Sequence, residues 1–201
     1  MKFKTLFLFT LAMAIALFSF TNQNKIDKCF ISFSDATSLT ATKPERLPKT
    51  SEKTRTVATE NGEVEVTRID GYRVSYNNEK KAQFVSLKVE LSAQDSYETD
   101  QKRLLDNLKY LNAHSSGMET KELIELQFNG YKIFGLSRGS IETGSTLGTF
   151  VMFPGNGVTV YFYFNNVKPE LRSFDNIEDY KKQRDRFIEE YTKHLTACSD
   201  K

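Results

Sequence analysis

Histidine, cysteine and tryptophan are scarce in this sequence of 201 residues, which contains two histidines, two cysteines and no tryptophan. The histidines and cysteines form no metal-ligand pattern, because zinc sites need several such side chains at short spacing. A C-x-x-C pair is also absent, which argues against thiol–disulfide exchange as the function. The sequence therefore predicts no metal-binding, cofactor-binding or catalytic residue.

The sequence also lacks a strong excess of charge, with 28 Lys and Arg residues against 26 Asp and Glu residues. Two of the lysines, Lys2 and Lys4, lie in the first 21 residues, which contain no acid, so the remaining chain carries 26 charges of each sign. Nucleic acids and anionic lipid surfaces bind clustered positive charge. The balanced charge therefore argues against both as the main partner.

Residues 1–21 have the composition of a secretory signal peptide. Lys2 and Lys4 precede an uncharged apolar run over residues 6–20, and polar residues follow directly. This run is too short to cross a bilayer comfortably, so we expect cleavage near Thr21. The alternative is an uncleaved N-terminal anchor. The first interpretation predicts an exported protein, periplasmic or extracellular, with no stable membrane insertion after the signal is removed.

The segment after the signal peptide is poor in large apolar side chains. Residues 34–55 are rich in Ser, Thr, Lys and Pro, a composition that buries too little surface to offset the entropy of ordering. We therefore predict a mobile arm or linker over 22–55 and a single domain over 56–198. Within the arm, the apolar residues 29–33 are expected to form a short strand or docking segment.

The two cysteines, Cys29 and Cys198, lie near opposite ends of the predicted mature chain. In an oxidising compartment two cysteines often pair, and a bridge here would hold the N-terminal segment against the last helix. Such a bridge requires Cα atoms within about 7 Å. The alternative is two unrelated thiols on frayed ends, and the sequence leaves both possibilities open.

Turn signals separate several runs that alternate between apolar and polar residues. The turns are predicted at Asn61-Gly62, Asp70-Gly71, Asn129-Gly130 and Pro154-Gly155-Asn156-Gly157. Alternation is clearest over 85–91, 124–128 and 158–164, and further strands are expected at 64–69, 72–76, 131–138 and 147–153. Sequential strands joined by such tight turns predict an antiparallel sheet.

Two segments follow helical spacing instead. The first, over 96–112, carries an apolar stripe of Leu104, Leu105, Leu108 and Leu111. The second, over 176–196, opens on a capping-box pattern at 175–178. The fold class predicted is α+β: an antiparallel sheet built from hairpins with two main helices packed on it.

The order of these elements resembles the PsbP-like fold of small secreted or lumenal proteins. The resemblance is carried by residues 128–133 (FNGYKI), 147–153 (LGTFVMF) and the strand 158–164, and it extends over about residues 64–196. It implies a non-enzymatic accessory or binding role. No site motif of that family matches, so the resemblance assigns no functional residue.

Several candidate chemical groups have simpler explanations. Gly139 and Gly144 have the spacing of a phosphate-binding loop, but the loop lacks the lysine and joins two predicted strands instead of opening a helix. His114 and His194 lie near helix C-termini, where the helix dipole favours them. The acidic residues Glu119, Glu122 and Glu125 are typical of charges on a strand and its approach.

Tyr161 and Tyr163 share one face of the strand 158–164, opposite Val160 and Phe162. If a helix covers that face, the tyrosines are core residues with hydroxyls at the edge. If the face is open, neighbouring tyrosines offer a binding platform for a peptide, a glycan or an apolar ligand.

The sequence favours an exported, non-catalytic binding or accessory protein whose partner is unidentified and could be an envelope or secreted protein. One alternative is a secreted hydrolase whose acids converge only in three dimensions. Another is a carrier of a small apolar ligand, which requires an enclosed cavity between sheet and helices.

Overall fold

A computed structural model describes residues 25–34, 38–48, 55–59, 62–93, 96–114 and 121–199. The predicted signal peptide, 1–21, and its cleavage position lie outside these residues. The strands are β1 Thr40–Ala41, β2 Glu45–Arg46, β3 Arg55–Thr59, β4 Gly62–Val66, β5 Arg68–Asn77, β6 Gln83–Ser92, β7 Lys121–Phe128, β8 Tyr131–Arg138, β9 Thr146–Gly155 and β10 Val158–Asn165. The helices are α1 Tyr97–Ala113 and α2 Ile177–Ser199, with short 3₁₀ helices at Lys28–Phe30 and Pro169–Leu171.

Eight of the strands form one antiparallel sheet in the order β1-β5-β6-β10-β9-β8-β7, with β2 also paired to β5. Strands β3 and β4 form a separate hairpin. The predicted fold class is confirmed: an α+β fold with an antiparallel sheet and two helices. In the part of the chain described, neither helix is long and apolar enough to cross a membrane.

Helix α2 packs on one face of the sheet and forms the main core with it. The alternating side chains of β6 and β10 point into this core, as their period of two predicts. Phe187 of α2 lies against Tyr76 and Phe162, with ring centroids 4.8 and 6.4 Å away. Because α2 is apolar on only one side, this contact sets its rotation on the sheet.

Helix α1 packs on the opposite face of the sheet over a smaller apolar cluster. Leu108 of α1 is buried there with Leu136, Val151 and Tyr161 of the sheet. Glu90, on the face of β6 away from the main core, is also buried.

Two of the predicted turns are confirmed as tight turns with positive φ. Asn129 and Gly130 have φ values of 49° and 84°, and Phe128 pairs directly with Tyr131 across the turn. Asn156 and Gly157 have φ values of 51° and 77° between β9 and β10. Asparagine and glycine tolerate this backbone region best, so these dipeptides fix the hairpins.

The other two predicted turns have different outcomes. Asp70-Gly71 is wrong as a turn, because both residues lie inside β5, next to a register shift between Arg68 and Asp70. The true β5–β6 connection lies at 78–82, where the Asn78 amide donates to the Ala82 carbonyl. For Asn61-Gly62, Thr59 pairs with Gly62 across a hairpin, and Asn61 lies outside the described residues.

Asp70 is a buried acceptor for the N-terminal segment. Its carboxylate accepts hydrogen bonds from the backbone amides of Ile26 at 3.3 Å and Gly71 at 3.0 Å, and from Arg46 Nε at 3.0 Å. A Cβ on Gly71 would lie 2.7 Å from Leu47 Cδ1, so glycine serves close packing at this position. The Asp-Gly pair therefore holds the preceding segments against β5.

The predicted mobile arm differs from what the structure shows in its described parts. Strands β1 and β2 pair with β5, and the Phe33 side chain is buried against Phe187 and Tyr191. Backbone hydrogen bonds to an open sheet edge are available to almost any composition. Counting apolar residues therefore does not predict that these strands pair with β5.

Residues 29–33 dock on α2, as one of the two predictions for this stretch proposed. The Tyr191 hydroxyl donates to the Phe30 carbonyl at 2.9 Å, and a ring nitrogen of His194 lies 3.1 Å from the Cys29 carbonyl. Cys29 and Cys198 are joined in a disulfide with their Cα atoms 6.1 Å apart. The segment is therefore linked to the end of α2 both covalently and by hydrogen bonds.

Replacing Asp70 by alanine is expected to destabilise the protein by about 2–3 kcal/mol, because it removes the acceptor of two backbone amides and of Arg46. The measurement is urea unfolding of Asp70→Ala beside wild type. Asp106→Ala, which removes an exposed aspartate, is the matched control and should change stability little. Equal midpoints for the two variants would contradict the role assigned to Asp70.

Candidate binding groove between helix α1 and the sheet

A groove of about 320 Å³ lies between α1 and the strands β8, β9 and β10. Most of its wall is apolar or uncharged, and its only charged lining residues in the described chain are two cations. The lining residues are Leu104, Asn107, Leu108, Leu111, Lys121, Leu136, Ser137, Arg138, Thr146, Leu147, Gly148, Thr149, Phe150, Val151, Tyr161 and Tyr163.

The floor of the groove is set by the register of the central strands. Tyr163 lies opposite Thr149, which in turn lies opposite Leu136, so the three form one row across the sheet. Tyr161 lies opposite Val151 in the next row. Because side chains alternate between faces, both rows point toward α1 and away from the main core.

The roof is the leucine stripe of α1. Leu108 is buried, whereas Leu111, one turn further along, is 42% exposed. Leu123, the cross-strand neighbour of Leu136, is 40% exposed on β7. Apolar surface therefore continues from the inside of the groove to its opening.

The helix that forms this roof is anchored at its start. The Tyr97 hydroxyl accepts a hydrogen bond from the Gly155 amide at 3.3 Å, and Ser96 Oγ accepts one from the Thr67 amide at 3.0 Å. Burial raises the pKa of the Tyr97 hydroxyl and outweighs the opposing effect of the Gly155 hydrogen bond. A neutral Tyr97 thus fixes one end of α1, and hence the height of the groove.

Tyr161 and Tyr163, the residues predicted to be either core or platform, both line the groove. Their rings are parallel to within 3°, with centroids 6.1 Å apart. Helix α1 covers this face and Tyr161 is 5% exposed, while Tyr163 is only half-buried. The sequence left two interpretations, core residues under a helix or an open binding platform. The structure combines them, because the tyrosines are covered by α1 and also form the wall of a cavity.

A buried ionic cluster supports the tyrosines from β6. Glu90 Oε1 lies 2.7 Å from Lys88 Nζ and 3.0 Å from an Arg68 guanidinium nitrogen, and the Glu90 side chain is only 2% exposed. Both contacts are ion pairs between opposite charges. Lys88 Nζ also lies 4.0 Å from the Tyr161 ring centroid, a cation–π distance.

Lys121 and Arg138 lie at the end of the groove. They are direct cross-strand partners on β7 and β8 and are both half-buried. The loop with glycine spacing contacts this end, since a Cβ on Gly144 would lie 2.3 Å from the Arg138 guanidinium. The loop joins β8 to β9 and opens no helix, as its sequence predicts.

The remaining candidates lie away from the groove lining. His114 caps the C-terminus of α1, with its Nδ1 2.9 Å from the Tyr110 carbonyl, and His194 contacts the Cys29 segment. Glu122 and Glu125 lie on β7, and Glu119 is outside the described residues. Across the ranges given above, no group of three or more His, Cys, Asp or Glu side chains could hold a metal ion.

The lining residues that the structure describes provide apolar contact, two aromatic rings and two cationic side chains, and they include no carboxylate, imidazole or thiol. Sequence reasoning identified Tyr161 and Tyr163 but missed Lys121 and Arg138, whose proximity depends on strand register. The leucine stripe of α1 on the same face was the available signal for a cavity. Comparison with known proteins finds no matching family model, no similar curated protein and no similar solved structure.

Proposed function

We propose that the protein is an exported, non-catalytic binding protein that holds a small, mainly apolar ligand in the groove under α1. The observation that carries this proposal is a groove of about 320 Å³ walled by leucines and two parallel tyrosines. Ligand sites in proteins are typically concave, mainly apolar and about 300–1,000 Å³ in volume. The groove lies at the lower end of that range.

The size of the groove limits the ligand. A water-sized group occupies about 30 Å³ in a liquid, so the groove accommodates about ten non-hydrogen atoms. A ligand of this size reaches a Kd between about 1 mM and 1 μM at ordinary efficiency per atom. A longer chain would extend past Leu111 and Leu123 at the opening.

Export is proposed on the pattern of residues 1–21, and the disulfide between Cys29 and Cys198 is in keeping with an oxidising destination. The order of elements, which resembles that of the PsbP-like fold, favours a binding or accessory role. The hydrolase alternative receives no support from the groove, because the buried carboxylates Asp70, Glu90 and Asp100 are each paired with arginine or lysine elsewhere.

Filling the groove is expected to abolish binding. Thr149 lies in the middle of the floor, and phenylalanine suits a strand, so Thr149→Phe should occupy the space of the ligand without disturbing the main core. We expect affinity for 1-octanol and octanoate to fall by at least about tenfold. The measurement is an NMR titration that follows the amide signals of the lining residues.

The matched control is Gln127→Phe, which places the same ring on the exposed part of β7 outside the groove. It should bind both probes as wild type does. If neither probe perturbs the lining residues of the wild-type protein, the proposed function is wrong. Unchanged affinity in Thr149→Phe would place the ligand elsewhere and contradict it equally.

A further inference from the structure

The rings of Tyr161 and Tyr163 form a flat wall along the β10 side of the groove. The rings are parallel to within 3°, with centroids 6.1 Å apart. Lys88 Nζ lies over both of them, 4.0 Å from the Tyr161 centroid and 5.9 Å from the Tyr163 centroid. Because one cation lies over the faces of both rings, the rings stand side by side and not one on top of the other. We call these two rings the tyrosine wall.

One face of the tyrosine wall is turned toward β6 and the other toward the groove. Lys88 is the cross-strand partner of Tyr161 on β6, and it covers the first face. On the other side, Val151 and Thr149 of β9 are the cross-strand partners of Tyr161 and Tyr163. Since both tyrosines line the groove, the face turned toward β9 borders it.

The space in front of the tyrosine wall has the shape of a slot. Thr149, directly opposite Tyr163, is a small side chain and fills less of the space beside that ring than a leucine would. Leu104 and Leu108 of α1 line the slot from above. The groove accommodates about ten non-hydrogen atoms, which is the size of two fused aromatic rings. A planar ligand therefore fits this space with one of its faces against the wall.

The tyrosine wall is held in place from behind. Lys88 Nζ lies 2.7 Å from Glu90 Oε1 in an ion pair, and the same nitrogen makes the cation–π contact with Tyr161. Rings that are already ordered lose little conformational entropy when a ligand binds against them. The groove face of the wall is therefore a prepared surface for stacking.

We propose, on the basis of the function proposed above, that the ligand is a planar aromatic molecule that stacks on the tyrosine wall under α1. Aromatic rings attract one another in offset stacks, because their faces are negative and their edges positive. This attraction adds between about twofold and tenfold to affinity beyond the burial of apolar area. A saturated ligand of the same size gains apolar contact alone.

The inference is tested with 2-naphthol and decahydro-2-naphthol, which share a carbon skeleton and a hydroxyl group and differ in aromaticity. The saturated compound has the larger apolar surface, so burial alone favours it. Stacking should reverse this order, and we expect wild type to bind 2-naphthol about threefold more tightly. The measurement is the NMR titration already used for 1-octanol.

Three double variants locate the preference for the aromatic compound. Tyr161→Leu/Tyr163→Leu removes both rings of the wall, and it should lose the preference while still binding 1-octanol. Tyr161→Phe/Tyr163→Phe keeps the rings without their hydroxyls and should keep the preference. The control Tyr72→Leu/Tyr131→Leu removes two half-buried tyrosines outside the groove lining and should keep it as well. A preference that survives in Tyr161→Leu/Tyr163→Leu overturns the inference.

A measurement on wild type alone keeps the test independent of the variants. A stacked aromatic ligand moves the ring-proton signals of the residues beneath it to lower frequency through its ring current. The ring protons of Tyr161 and Tyr163 should move in this way with 2-naphthol and not with the saturated compound. If 1-octanol binds but 2-naphthol is not preferred, or leaves these signals in place, this inference is overturned while the proposed function stands. If none of the three compounds binds, the proposed function fails, and the inference fails with it.

Discussion

Replacing both Cys29 and Cys198 by serine is expected to destabilise the folded protein by up to about 5 kcal/mol. The disulfide joins residues 169 positions apart, and the chain-entropy model assigns that cost to closing so long a loop. The figure is an upper value, because contacts in the unfolded chain reduce it. No other interaction in the described chain restricts the unfolded state over so large a span.

Several contacts resist detachment of the N-terminal segment once the bond is removed. Phe33 stays packed between Phe187 and Tyr191, and the Tyr76 hydroxyl donates to the Phe33 carbonyl at 3.1 Å. These contacts keep the domain folded without the bond, but the segment has lost its covalent link to α2, so we expect it to open locally before the whole domain unfolds. Hydrogen exchange over residues 26–33 should accelerate more than exchange in β10.

The measurement is urea unfolding of the double serine variant and of the oxidised wild type. Reduced wild type is the control, and it should behave as the variant does. Coincident unfolding curves for oxidised wild type and variant would contradict the prediction. Slower exchange in residues 26–33 of the variant would contradict the local opening.

The success of the sequence predictions depends on how local each determinant is. Asn129-Gly130 forms its turn because the two residues themselves adopt positive φ. Asp70-Gly71 carries nearly the same signal but lies inside a strand, because Ile26 and Arg46 bind its carboxylate from distant positions. A dipeptide signal fails where a buried long-range partner competes for the same side chain.

The candidate site follows the same division. The alternation of β10 placed Tyr161 and Tyr163 on one face, and the leucine spacing of α1 predicted an apolar stripe. The distance between the tyrosines and the leucine stripe depends on the hydrogen bond between Tyr97 and Gly155. The pairing of Lys121 with Arg138 depends on the β7–β8 register. Neither relation is visible in the spacing of residues along the chain.

Replacing Glu90 by alanine is expected to destabilise the protein by about 3–5 kcal/mol. Its carboxylate lies between Lys88 and Arg68, whose side chains are only 18% and 13% exposed. Removing one partner of a buried ionic cluster leaves charge in a poorly solvated place, and this desolvation is the main cost. Urea unfolding measures the effect.

The matched control is Glu125→Ala, which removes a glutamate of the same face whose side chain is 53% exposed in its pair with Lys132. Surface pairs of this kind contribute little, so its stability should change by no more than about 1 kcal/mol. A similar loss in Glu90→Ala and Glu125→Ala would show that burial does not strengthen the Glu90 cluster.

A double variant separates the cost of stranded charge from the value of the ionic contacts. Lys88→Met/Glu90→Leu removes two charges of opposite sign and fills their space with apolar atoms, an exchange that is often neutral in protein interiors. It should therefore recover at least half of the stability lost in Glu90→Ala, because Arg68 is then the only charge of the cluster left without the Glu90 carboxylate. In wild type, Lys88 Nζ lies 4.0 Å from the Tyr161 ring centroid. The Tyr161 amide signal should move in Glu90→Ala, where Lys88 loses the carboxylate that positions it, and in the double variant, where Lys88 is absent. A double variant as unstable as Glu90→Ala would mean that the ionic contacts themselves, and not the avoidance of stranded charge, hold β6 beneath the groove.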